Sequence, residues 1–383
     1  MREDLAQEEK KYWVGFNVFE GIGPLRFKLL LDYFETAEKA YKASVEELRK
    51  IGLGEKLVLK FEESRKNFDL DSYLLRVSQL GIEVLISEDK NYPKLLKEIQ
   101  DYPPVIYVKR RLKSANTEKS SSELQSASIF EKKAVAVVGT RLPTAYGRKV
   151  TEMMVEGLVA NGLVIVSGLA RGIDAIAHKH TIYNKGLTIG VLGCGLDKVY
   201  PPEHKGLIEE IIKSGGAVIS EFPLGMDAVP GNFPARNRII SGLSLGVMVT
   251  EAAEDSGSLI TASHAAEQGR EVFAVPGPIT SPMSKGTAEL IKKGAKLVTG
   301  VEDILEELGI RGATGRKSTT GTTGIELTED EKKILEILKE GDLGIDDIIR
   351  KSALDSGKVG SLLSIMEIRG LIKNYNGVYS LVI

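Results

Sequence analysis

The chain has 383 residues, 42% of them hydrophobic and 27% charged, with a net charge of −2. That length accommodates two or three domains, and the composition excludes a chain disordered throughout. The single cysteine, Cys194, excludes an internal disulfide and fits a reducing, cytoplasmic setting.

The first ten residues are charged and lack an apolar core, so no signal peptide is expected. No apolar run is long enough to span a bilayer. With so little net charge, any binding to nucleic acid must come from a local basic patch.

Residues 1–80 read as a helical N-terminal domain, with Phe27, Leu30, Leu31 and Phe34 at helical spacing. Two glycine turns, Gly21-Ile22-Gly23 and Gly52-Leu53-Gly54, each precede a helical pattern. They resemble helix-hairpin-helix turns, whose backbone N–H groups can hold a phosphate; tight turns inside a small bundle are the alternative.

Residues 81–310 form the second segment. Ile82–Ile86 and Val105–Val108 read as strands separated by Pro103-Pro104. A serine-rich insertion, 113–130, interrupts the pattern. Short apolar runs then alternate with segments of helical length: Val135–Val138, Leu163–Val166, Thr188–Leu192, Ala217–Ile219, Gly246–Val249, Glu271–Val275 and Lys296–Val298. This alternation predicts a parallel sheet covered on both faces, with its strand-to-helix turns along one ligand-binding edge.

Residues 311–328 are rich in Gly, Thr and Ser and read as a flexible linker. Residues 329–383 hold three amphipathic patterns and a hairpin signal at Tyr375-Asn376-Gly377-Val378-Tyr379, which suggests a winged-helix-like domain. That segment carries eight basic and ten acidic residues. Such a balance is unusual for a DNA-reading wing, and a protein-contact or structural role is equally compatible.

Five loops carry the chemistry. Gly139-Thr140-Arg141 opens the first, where small residues and a helix start favour an anion and Arg141 can bind phosphate bidentately. It is neither a Walker A loop nor a Gly-x-Gly-x-x-Gly fingerprint, which removes support for ATP hydrolysis and dinucleotide redox chemistry.

Ser167, Gly168 and Arg171 extend the anion site from the second loop. Asp174 and His178 on the following helix have acid/base spacing, but capping by Asp174 explains that residue as well. In the third loop Cys194 reads as a small buried residue and Lys198 as a pocket or surface lysine. No histidine has metal-ligand spacing, so no metal or cofactor is expected.

Phe233 offers a base-stacking face or a core side chain, followed by Arg236, Asn237 and Arg238. Gly257 and Ser258 supply a last cradle. Several phosphate loops on one edge suggest a run of phosphates more than a single small molecule.

Gly139-Thr140-Arg141 with Tyr146-Gly147, Ser167–Asp174 with His178, Phe233–Leu243, Gly257–Ala262 and Val275-Pro276-Gly277 together resemble the DNA-processing protein A (DprA/Smf) family. The serine-rich insertion is longer than that family leads one to expect. The resemblance implies an extended Rossmann-like central domain, a sterile-alpha-motif-like N-terminal domain and a C-terminal winged helix. It implies single-stranded DNA binding without cleavage, protection of incoming DNA, loading of the RecA recombinase in natural transformation, and a homodimer formed through the central domain.

Arg141 is then the foremost DNA contact, surrounded by Gly139, Thr140, Ser167, Gly168, Arg171, Arg236, Asn237, Arg238, Gly257 and Ser258. Two competing readings remain. One is a nucleotide phosphoribohydrolase on a related fold, with Glu251 and Arg141 in acid/base and phosphate roles. The other is an interaction scaffold with vestigial phosphate loops.

Overall fold

A computed structural model of the chain describes residues 2–111, 129–310, 328–339, 341–368, 371–375 and 377–381. The serine-rich insertion and the interdomain linker, but for their last residues, lie outside these. Two compact units result, residues 1–312 and 313–383.

The first unit opens with six helices: α1 (Arg2–Asn17), α2 (Pro24–Phe34), α3 (Ala37–Lys42), α4 (Val45–Lys50), α5 (Glu55–Asn67) and α6 (Leu70–Gln79). Aromatic side chains tie them together. Phe16 stacks on Phe61 at 5.1 Å, and Trp13 meets Phe27 edge-on at 4.8 Å. The two glycine turns precede α2 and α5. Gly21, Gly52 and Gly54 take positive φ, which a side chain would resist, while Ile22 and Leu53 between them are buried.

The strands and helices that follow are β1 (Ile82–Ile86), α7 (Lys94–Lys97), β2 (Val105–Arg110), β3 (Ala134–Val138), α8 (Ala145–Ala160), β4 (Val164–Ser167), α9 (Ile173–Tyr183), β5 (Thr188–Val191), α10 (Lys205–Lys213) and β6 (Ala217–Ser220). The chain then crosses through α11 (Asn232–Gly242) to β7 (Gly246–Val249), α12 (Ser258–Glu267), β8 (Glu271–Ala274), α13 (Lys285–Lys292), β9 (Lys296–Leu297) and α14 (Val301–Glu307).

All nine strands form one sheet in the order β1-β2-β6-β5-β4-β3-β7-β8-β9. From β6 to β9 every pairing is parallel, as the apolar runs predict. The β1–β2 and β2–β6 pairings are antiparallel, a direction that the sequence left open for these two strands. Alternating hydrophobicity does not report direction at an edge, and an antiparallel edge on a parallel sheet is a common arrangement.

The N-terminal helices share one hydrophobic core with β1, β2 and β6, through Ile82, Val105, Tyr107 and Val218. Polar contacts reinforce that seam. The Tyr107 hydroxyl donates to Asn17 Oδ1 at 2.8 Å, and Asn17 Nδ2 donates to the Glu221 carbonyl at 3.0 Å.

Starting at β3, the chain steps outward to β4, β5 and β6 on one side, then returns to β7, β8 and β9 on the other. The order therefore reverses between β3 and β7. At such a switch point the loops leaving the strand ends diverge, and a crevice opens.

The second unit holds α15 (Glu329–Lys339), β10 (Leu343–Gly344), α16 (Ile345–Ser352), α17 (Ser356–Ile368), β11 (Ile372–Tyr375) and β12 (Val378–Leu381). Three helices and a small antiparallel sheet enclose Ile334, Leu338, Ile348, Val359, Leu363 and Met366, the winged-helix pattern. The hairpin sets Tyr375 opposite Val378.

Candidate functional site

The crevice at the switch point is a cleft of about 710 Å³. Its walls come from four segments: Gly139–Leu142 after β3, Ala170 and Asp174 around the start of α9, Phe233, Pro234, Arg236 and Asn237 at the start of α11, and Ser256–Ser258 at the start of α12. Tyr200 and Asp255 also line it.

The loop after β3 is built around one buried carboxylate. Thr144 donates to Glu251 twice, from its N–H at 2.9 Å and from its hydroxyl at 2.7 Å, and its hydroxyl also caps α8 by accepting from the Gly147 N–H at 3.1 Å. Thr140 N–H donates to the Glu251 carbonyl at 2.7 Å. A Cβ at Gly147 would fall on the Glu251 carboxylate, and one at Gly139 would meet the Glu251 carbonyl at 2.8 Å. These glycines are therefore required by close approach across the switch point. The same loop leaves Arg141 exposed, with no carboxylate partner among the described residues.

The loop after β4 is pinned from within. Asp174 accepts from the Gly168 N–H at 3.1 Å and the Ala170 N–H at 3.3 Å. Arg236 donates to the carbonyls of Gly168 and Val191. Both side chains are buried. Desolvation raises the Asp174 carboxyl above its ordinary range, opposed by the neighbouring Arg236, and burial pulls the Arg236 guanidinium down to about 10. This pair is scaffolding for the loop.

His178 is buried and shares a 2.7 Å hydrogen bond with Thr188. Its pKa is lowered to about 3, mainly by desolvation, so it is neutral. The spacing of Asp174 and His178 therefore reflects internal packing. Cys194 is buried, as its sequence setting suggests, and burial pushes its thiol up to about 11.

Phe233 is half-buried in the cleft wall. The Arg141 guanidinium carbon lies 5.8 Å from its ring centroid and that of Arg236 5.9 Å, while the Tyr200 ring packs at 5.4 Å. One partly open aromatic face is thus held beside an exposed guanidinium. Asn237 Nδ2 donates to the Gly257 carbonyl at 3.3 Å, joining α11 to the last loop. The helices α9, α11 and α12 all begin at glycines without a side-chain cap, although in α12 the first N–H, that of Ser258, donates to Ser256 Oγ at 3.4 Å.

The structure thus gathers Gly139, Thr140, Arg141, Phe233, Arg236, Asn237, Gly257 and Ser258 around one cleft. Five other residues read from the sequence do not line it. The buried Ser167 hydroxyl donates to the Val137 carbonyl at 2.7 Å, and Gly168 is held by Asp174. Arg171 pairs with Glu203 at 2.5 Å. Arg238 is buried in an ion pair with Glu221 at 2.5 Å and Asp101 at 3.1 Å. Lys198 pairs with Asp227 at 3.2 Å.

Conversely, Tyr200 was not singled out, although it stands in the third loop beside Pro201; an aromatic in a strand-to-helix turn was the available signal. Among the described residues no group of three or more His, Cys, Asp or Glu side chains could hold a metal, and no helix is long and apolar enough to cross a membrane.

Comparison with known proteins adds to this geometry. The profile of the DNA recombination-mediator protein A family matches residues 125–309, and that of the DprA winged helix domain matches residues 319–377. A relative named Protein Smf from Synechocystis sp. is 36% identical over 98% of this chain and 99% of its own.

Two solved structures are similar as well. The DNA processing protein A of Streptococcus pneumoniae superposes with a TM-score of 0.66 at 36% identity, covering 78% of this chain and 97% of that one. The Helicobacter pylori DNA processing protein A, whose structure is described for its single-stranded DNA binding mode, gives 0.50 at 30% identity, covering 59% and 95%.

Proposed function

The chain belongs to the DNA-processing protein A (DprA/Smf) family, and from that premise we propose that it binds single-stranded DNA in the switch-point cleft without cleaving it. The observation that carries this reading is Arg141. It is exposed at the cleft, unpaired by any carboxylate among the described residues, and poised over the partly open ring of Phe233. A guanidinium for a phosphate beside an aromatic for a base is the combination that sequence-tolerant single-strand binders use. The single-stranded DNA binding mode described for the similar Helicobacter pylori protein supports the same ligand.

In this proposal the protein acts in DNA processing during transformation and recombination. It shelters the incoming strand, helps load the RecA recombinase, works in the cytoplasm, and pairs with a second copy through the central domain. The hydrolytic alternative would need Glu251 to face a ligand. Both oxygens of that carboxylate are taken by Thr144, and the side chain is not part of the cleft wall.

The test is a titration with labelled oligo-dT and with duplex of equal length. The single strand is expected to bind more tightly, with affinity falling as salt rises, and Arg141→Glu to abolish most of it. A protein that ignored single strands but bound and hydrolysed a free nucleotide would overturn the proposal.

A further inference from the structure

Arg141 and Leu142 border a second concavity, of about 630 Å³, between α8 and α9. Arg148 and Glu152 line it from α8, and Lys179, His180 and Tyr183 from α9. Residues 148 and 152 are one helical turn apart, as are 179 and 183, so each pair presents on one face of its helix.

Three features set this groove apart from ordinary surface. First, Arg141, Arg148 and Lys179 form no ion pair among the described residues, although Glu152 stands one turn from Arg148. Cations elsewhere along the same sheet edge are neutralised, Arg171 by Glu203 and Lys198 by Asp227. Second, Tyr183 is 80% exposed and lies nearly parallel to His180, with ring centroids 5.8 Å apart and planes 28° apart. Its outer face is left open. Third, Leu142, on the border shared with the cleft, is 82% exposed.

Open apolar faces interleaved with unpaired cations suit an unpaired nucleic-acid strand, whose bases stack while its phosphates are tracked. A duplex keeps its bases paired and offers Tyr183 nothing to stack on.

We infer that the α8–α9 groove is a second nucleotide subsite, into which a single strand seated in the cleft continues past Arg141 and Leu142. Arg148 and Lys179 hold its phosphates there, and Tyr183 stacks one base. The inference rests on the single-strand reading above and extends the contact surface of that site.

Oligo-dT of graded length, titrated against the full chain, tests it. An oligonucleotide of about four residues fills the cleft alone, and one of about twelve also reaches the groove. Tyr183→Ala and Lys179→Gln are expected to lower affinity for the longer strand about tenfold each, and to leave the short one within about twofold. Tyr183→Phe, which keeps the stacking face, is expected to bind like the unaltered protein.

Equal affinities of the unaltered protein and these variants at every length, with Arg141→Glu still abolishing binding, would overturn the subsite and leave the cleft reading intact. Equal losses for short and long strands would also overturn it, since they mark a general field effect. If the unaltered chain binds neither length, the cleft reading fails and takes the subsite with it. Thermal unfolding midpoints matched to the unaltered chain exclude misfolding as the cause of a loss.

Discussion

Arg141 and Arg238 are both arginines in motifs of the same family, yet the structure holds them in opposite ways, and this difference can be measured. Arg141 is exposed and unpaired, whereas Arg238 is buried against Glu221 and Asp101. Arg141→Ala removes one charge-assisted contact to phosphate, worth about 1.5–3 kcal/mol. That is about 10- to 150-fold in affinity for oligo-dT.

The salt dependence should also flatten. Each neutralised phosphate of a single strand contributes about −0.7 to the slope of log affinity against log salt. Arg141 alone therefore predicts a slope near −0.7, and Arg141 with Arg148 and Lys179 a slope of about −2. Arg141→Ala should make it shallower by about 0.7.

Arg238→Ala should behave differently. It strands Glu221 in the interior, so it costs about 3–5 kcal/mol of folding stability, read by urea denaturation. At a temperature where the variant remains folded, its salt slope should match that of the unaltered chain. A loss of slope in Arg238→Ala equal to that in Arg141→Ala would refute the assignment, because it would mean that the buried arginine leaves its carboxylates to meet the ligand.

Three further outcomes are expected. Phe233→Ala should weaken oligo-dT binding by about 1–3 kcal/mol without changing the salt slope, because stacking releases no counterions; a flattened slope would count against stacking. His178 has a folded-state pKa of about 3 against an ordinary value of 6.5, so its contribution to stability is present above pH 6.5 and is lost as pH falls toward 3. Through that window it should make urea stability fall by roughly 1.4 kcal/mol per pH unit, and His178→Gln should remove that component, whereas an unchanged pH profile would contradict a buried neutral imidazole. A chain ending at residue 312 should retain oligo-dT affinity within about threefold in gel-shift titration, since the removed unit carries no excess of positive charge; a much larger loss would place DNA contacts in the winged helix.

Much of the fold was legible because parallel strands buried on both faces leave continuous apolar runs, and all nine runs named from the sequence became strands. The direction of β1 and β2 was not legible, since antiparallel and parallel partners place the same demands on a buried strand. Within the cleft, the glycines and Arg141 were readable from local chemistry alone.

The fates of Arg236 and Arg238 were not. Two residues apart on α11 they point about 200° from each other around the helix axis, so one reaches Gly168 and the other reaches Glu221. Which of them meets an acceptor, a carboxylate or solvent depends on partners distant in sequence, such as Asp101, whose proximity only the folded chain reveals. The exposure of Tyr183 was not legible for a related reason: it follows from how α9 sits against α8.

The clasp between Glu251 and Thr144 has a kinetic meaning. It joins the end of β7 to the loop after β3 by contacts wholly internal to the protein, so the loop that presents Arg141 has its shape before any strand arrives. An arriving strand then bears little cost for ordering the receptor, and encounter need not await a rearrangement. Changes on the cleft surface should therefore register as shorter residence of the strand, and changes to the clasp as slower capture. Stopped-flow traces of Phe233→Ala and Glu251→Ala would show the two signatures side by side.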